Sequence, residues 1–132
     1  MYQAKDVMNE AMVAVSPDTT IDEAIHILLD KKISGAPVLD QQGALVGILS
    51  EFQLLEVIYA PEIKARRVRD LMTKDVLTVQ EEAGLADIVS LFILHRIRRI
   101  PVLRGTQLVG MITRSDILRY AADRPATAAP AP

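Results

Sequence analysis

Apolar positions along the chain switch between helical and strand periods, and the whole switch occurs twice. Ile21, Ala24, Ile25, Leu28 and Leu29 fall at i, i+3, i+4, i+7 and i+8, one stripe of an amphipathic helix. Thr20 and Glu23 make a capping box at its start, Lys31 and Lys32 close it, and Gly35 ends it. Before that helix, Ala4 to Asn9 reads as a short helical turn, and the apolar run Ala11 to Val15 predicts a brief strand broken by Ser16-Pro17-Asp18. After it, Pro37-Val38-Leu39 opens an extended segment and Asp40-Gln41-Gln42-Gly43 is a hairpin-type turn. Leu45 to Leu49 is the next strand, and Ser50 begins a helix expected to run through Ile58. Pro61 marks a connector through Lys64, Arg66 and Arg67.

The order then restarts. Arg69-Asp70-Leu71-Met72 echoes Lys5-Asp6-Val7-Met8, and Val76 to Val79 echoes Met12 to Val15. Leu85, Ile88, Val89, Phe92 and Ile93 reproduce the helical stripe, Pro101-Val102-Leu103 repeats Pro37-Val38-Leu39, and Leu108-Val109-Gly110 repeats Leu45-Val46-Gly47. The pattern is a duplicated strand–helix–strand–strand–helix unit. Copies this small cannot each bury a sheet face alone, so the expectation is that they pack together about a pseudo-twofold axis.

Composition narrows the chemistry. In 132 residues half are hydrophobic and 4% aromatic, with no Trp, so the core must be aliphatic. Mean hydropathy is +0.22. A formal net charge of −2 argues against nucleic-acid binding through bulk electrostatics, although Arg96, Arg98, Arg99, Arg104 and Arg114 crowd the second half. Without Cys there is no disulfide framework, thiolate nucleophile or Cys-based zinc site. His26 and His95 do not pair at ligand spacing, so no metal is expected. No catalytic constellation or glycine-rich phosphate loop occurs, and no enzymatic activity is expected. Neither a membrane span nor a signal-peptide core is evident, so a cytoplasmic location is expected. The tail, 125–132, contains only Pro, Ala and Thr and should be disordered.

One stretch concentrates the candidate chemistry. Thr113 and Asp116 sit where a strand hands over to a helix. Unpaired backbone N–H groups there can hold an anion, and a carboxylate one turn in can accept hydrogen bonds from sugar hydroxyls. The same pair is also a capping box, which satisfies the helix's own first N–H groups.

The motifs DVM and DLM, APVLD and IPVLR, and LVGILSEFQLL and LVGMITRSDIL, in that order and duplicated, resemble a tandem pair of CBS domains, named after the regulatory region of cystathionine β-synthase. The resemblance spans residues 4 to 122. It implies an α+β fold of two βαββα CBS repeats packed through their sheets, with repeats at 1–60 and 61–124. It also implies two clefts that take adenosine-containing ligands (AMP, ADP or ATP first, S-adenosylmethionine or NAD as alternatives), no required cofactor, a homodimer, and a stand-alone regulatory module that signals to a partner. Carried over by position, Asp116 would take the ribose hydroxyls, and Thr113 and Ser115 the sugar or first phosphate. Arg98, Arg99 and Arg114 would face phosphates, with Met12, Val13, Ile33, Ser34, Gly35 and Ala36 against the adenine. A second, weaker site would use Leu77, Thr78, Ser50 and Gln53, where Gln53 replaces the acid and Ser34 and Gly35 replace the arginines. A purely structural dimerisation module without ligand, or a nucleic-acid-binding module using the second-half arginines, are the competing expectations.

Overall fold

The computed structural model describes residues 2–124; the tail expected to be disordered lies outside the described residues. The described residues divide into two compact units, 13–76 and 2–12 with 77–124. Both are mixed α+β.

In the unit formed by 13–76, helix α2 (Ile21–Lys31) is followed by an antiparallel hairpin of β1 (Gly35–Leu39) and β2 (Leu45–Ser50). The hairpin turns at Asp40, whose Oδ1 accepts the N–H groups of Gln42 and Ala44, each at 2.9 Å. Ile21, Ala24 and Leu28 on one face of α2 bury against Ala36, Val38 and Leu49 of the hairpin. Each fully buried Ile, Leu or Val adds about 1.5–3 kcal/mol of transfer free energy, which makes this stripe the reason the helix stays in place. Helices α3 (Glu51–Leu54) and α4 (Val68–Leu71) add Leu54 and Val68 to the same core.

Two local expectations are corrected. The run Ala11–Val15 forms no strand: Val15 alone bridges Val38, through Val15 N–H to Pro37 O and Leu39 N–H to Val15 O. The following backbone is taken by turn bonds, Ser16 N–H to Thr19 Oγ1 and Asp18 N–H to Ser16 Oγ, so the pairing cannot extend. The helix begun by Ser50 tightens after Leu54 into a 3-10 turn over Leu55–Ile58. The β-branched Val57 and Ile58 weaken the α-helical alternative there.

The other unit repeats the scheme. Helix α5 (Leu85–His95) buries Ile88 and Phe92 against Ile100, Val102 and Ile112. Its sheet orders β3 (Val79–Gln80), β4 (Arg99–Arg104) and β5 (Gln107–Thr113), parallel then antiparallel. The strand expected at Val76–Val79 is thus displaced toward Gln80. Helix α6 (Arg114–Ala122) follows β5. Both hairpins shift register at the same place, between Val38 and Leu39 and between Val102 and Leu103.

The sequence repeats and the packed units are out of step by one segment. The opening helix α1 (Ala4–Val7) belongs with the second half: Ala4 and Lys5 N–H groups bond the carbonyls of Ala83 and Glu81, and Ala4 lies in the Ile88–Ile100 core. In reciprocal fashion, Val68 N–H bonds Thr19 O in the first unit. Two glycines record the same exchange. A Cβ at Gly110 would collide with the side chain of Met8, and one at Gly47 would lie 2.8 Å from Met72 Sδ and from Thr73 O.

Candidate functional site

The register of the second hairpin places Arg99 opposite Thr113, so the Arg98–Arg99 pair and the start of α6 share one end of it. Thr113 is the N-cap of α6, with extended backbone. Its N–H and hydroxyl donate to Asp116 Oδ2 at 2.8 and 3.0 Å, while Asp116 N–H donates back to Thr113 Oγ1 at 3.4 Å. Asp116 Oδ1 accepts from Arg119 at 3.2 Å. Its side chain is 13% exposed. The capping box therefore exists as chemistry, and Arg119 is a partner that the sequence reading missed. Its position three residues after Asp116, on the same helix face, was the available signal.

A carboxylate offers about four acceptor positions. Three are engaged here, so the present arrangement can take one sugar hydroxyl. Two become possible if Arg119, largely exposed, swings aside. Arg114 donates through Nε to Ile97 O at 3.2 Å, which holds its guanidinium on the segment leading to Arg98. Arg98, Arg114 and Ser115 are exposed, and Arg99 is half-buried. Met12, Leu77 and Thr78 belong to the same unit, with Met12 and Thr78 half-buried and Leu77 exposed.

Val13, Ile33, Ser34, Gly35, Ala36, Ser50 and Gln53 belong to the other unit. There the hairpin pairs Gly35 with Ser50, and Glu51 N–H bonds Ser34 O at 2.9 Å, so Ser34, Gly35, Ala36 and Ser50 gather at the equivalent end; no pairing places Val13 with them. Gln53 Oε1 accepts Ser50 N–H at 2.8 Å, and its amide nitrogen donates to the Thr73 hydroxyl, a second partner not foreseen. Gln53 is thus engaged at both ends and neutral. Asp116 instead is an acid paired with Arg119. Among the described residues no group of three or more His, Asp or Glu gathers as metal ligands would. No helix among them is long and apolar enough to cross a membrane.

Two units, each containing a long helix, a β-hairpin and a strand that hands over to a capped helix, define a tandem-repeat module. The model of the CBS domain matches residues 4–60 and again 68–123, and the chain belongs to the CBS-domain family as a tandem pair. It is 36% identical over 118 residues to the inosine-5'-monophosphate dehydrogenase of Methanocaldococcus jannaschii, matching 89% of this chain but only 23% of that enzyme. It is 32% identical to the chloroplastic CBS domain-containing protein CBSX1 of Arabidopsis thaliana, matching 85% of this chain and 60% of that protein. The chain thus spans about a quarter of the first relative's length and three fifths of the second's. Among solved structures, CBSX2 in complex with AMP superposes with a TM-score of 0.84 at 31% identity, over 92% of this chain and 97% of that one.

Proposed function

We propose that the chain is a non-catalytic regulatory module that binds an adenosine-containing ligand, with AMP, ADP or ATP favoured, self-associates as a homodimer, and signals to a partner protein. The observation that carries this reading is a coincidence of charges. The one strand-to-helix turn with a carboxylate at Asp116 also has Arg98, Arg99 and Arg114 at the same hairpin end, whereas the equivalent turn has Gln53, Ser34 and Gly35. Capping requires the acid or the amide; it does not require three arginines. The reading gives the ribose hydroxyls to Asp116, the sugar or first phosphate to Thr113 and Ser115, and the phosphates to the guanidinium groups. The sister set, Ser50 and Gln53 with Leu77 and Thr78, is proposed as weak or empty. CBSX2 with AMP supports the ligand class, as does the CBS pair of protein MJ0100 with 5'-methylthioadenosine and S-adenosylmethionine, 25% identical with a TM-score of 0.80. The arginines favour a phosphate over a sulfonium cation. A ligand that prefers one arrangement of the module shifts its population toward that arrangement, and a bound partner responds by linkage.

Isothermal titration with AMP, ATP and S-adenosylmethionine tests the reading, on the native protein and on the Arg98→Ala/Arg99→Ala double variant. The expected result is nucleotide binding that weakens by roughly tenfold or more per lost charge-assisted contact. Silence with all three ligands would instead favour an interaction module that takes no small molecule.

A further inference from the structure

The two oxygens of Asp116 are not equally open to a sugar. Oδ2 is filled by the helix start, because the N–H and the hydroxyl of Thr113 both donate to it, at 2.8 and 3.0 Å. Oδ1 stands clear of the cap but accepts from Arg119 at 3.2 Å. An ionised carboxylate has about four acceptor positions, so a single one remains, on Oδ1. The ribose of a nucleotide presents two neighbouring hydroxyls. The acid is 13% exposed, so its oxygens have little access to water and depend on the partners they hold.

We propose that Arg119 determines which part of the sugar this site reads: it confines Asp116 to one ribose hydroxyl. The inference rests on the ribose assignment in the reading above and narrows it. To accept a second hydroxyl, Asp116 has to give up either Thr113, which undoes the helix start, or Arg119. Giving up Arg119 trades a donor with a full positive charge for a neutral one, and the charged pair is the stronger. Arg119 therefore keeps its place when a nucleotide arrives. The first repeat is covered differently. Glu56 stands where Arg119 stands, three residues after Gln53, and an ionised glutamate has no proton to donate. Gln53 turns its amide nitrogen instead to the hydroxyl of Thr73, whose own N–H and carbonyl both pair with Ile48. The side chain at the sugar position thus has a cover in both repeats. At Gln53 the cover is anchored in the backbone ladder, and at Asp116 it is a long arm, 64% exposed. Only Asp116 keeps a charged acceptor position free.

Isothermal titration of the full chain with AMP, 2'-deoxy-AMP and 3'-deoxy-AMP tests this, on the native protein and on Arg119→Met, which keeps the length of the side chain and removes every N–H. The readout is the Kd of each analogue divided by that of AMP, so a general loss of attraction for the phosphate cancels. For the native protein one analogue should bind within about fivefold of AMP, and the other should be weaker by roughly tenfold or more. For Arg119→Met both analogues should be weaker than AMP by roughly tenfold or more. Arg119→Ala should behave in the same way, and circular dichroism checks that both variants fold. Ratios that match between native protein and variants overturn the proposal and leave Asp116 as the ribose ligand. So does a native protein that loses roughly tenfold with both analogues, or with neither. Absence of AMP binding to native protein and variants alike overturns the proposal together with the reading on which it rests.

Discussion

Asp116→Ala removes a helix cap and a proposed ribose ligand together, and Glu23→Ala removes only a cap, so the pair separates the two roles. At α2, Glu23 Oε1 accepts the Thr20 hydroxyl at 2.8 Å and the Thr20 N–H at 3.4 Å. At α6 the backbone bond is shorter, 2.8 Å, and the acid is more buried. Losing a cap costs about 1 kcal/mol, and losing a hydrogen bond to a buried charge about 1.5–3 kcal/mol. Asp116→Ala should therefore lower the ligand-free Tm by roughly 5–15 °C and Glu23→Ala by roughly 3–5 °C, at about 3–5 °C per kcal/mol for a chain of this size. AMP at about 100 times its Kd should add about 2.7 kcal/mol to the native protein and the same to Glu23→Ala. In Asp116→Ala the lost contacts raise Kd roughly 10- to 150-fold, so the same AMP concentration adds only about 0.3–1.4 kcal/mol. Differential scanning calorimetry with and without AMP measures all six values. If both variants keep the full AMP increment, Asp116 is a cap and the ligand assignment fails.

Urea denaturation should separate the two glycines. Gly110→Ala should cost about 1–3 kcal/mol in the native chain and clearly less in a Met8→Ala background, where the sulfur and Cγ are gone and only Met8 Cβ, 3.0 Å from the added carbon, remains. Gly47→Ala should stay costly even with Met72→Ala, since the Thr73 carbonyl oxygen, 2.8 Å from the added carbon, cannot retreat. The buried Glu81 should govern part of the acid limb of stability. The Arg104 guanidinium, hydrogen-bonded to it, holds its carboxyl below the ordinary value against the opposing effect of burial, with Lys5 and Arg104 charges assisting. A depressed carboxylate contributes stability above its unfolded value, near about 4.3, and loses it as pH falls through the folded one. Glu81→Gln should flatten stability against pH below about pH 5; parallel profiles for the two proteins would refute this.

Helices α2 and α5 and both hairpins were legible because each rests on local pattern: an apolar stripe at helical spacing, a turn, and strands that repeat Pro-Val-Leu and Leu-Val-Gly. The strand at Ala11–Val15 was misread because an apolar run shows propensity but not whether a partner strand has room for it. The exchange of opening segments was not legible either, since nothing near Ala4 or Val68 says which half will bury it. Its trace was nevertheless written in the motifs. The methionine of DVM lies on the glycine of the second repeat, and that of DLM on the glycine of the first. The chain thus repeats a methionine and a glycine because each needs its counterpart from the other copy. The candidate site divides the same way. The device of a side chain three residues into a helix reaching back to the N-cap N–H recurs at Asp6, Glu23, Gln53, Asp70 and Asp116. A hydroxyl-x-x-acid pattern alone therefore points to a helix start. What singles out Thr113 and Asp116 is the strand pairing that sets Arg99 opposite Thr113. That pairing depends on the register shift at Val102 and Leu103, which becomes visible only when the hairpin is folded.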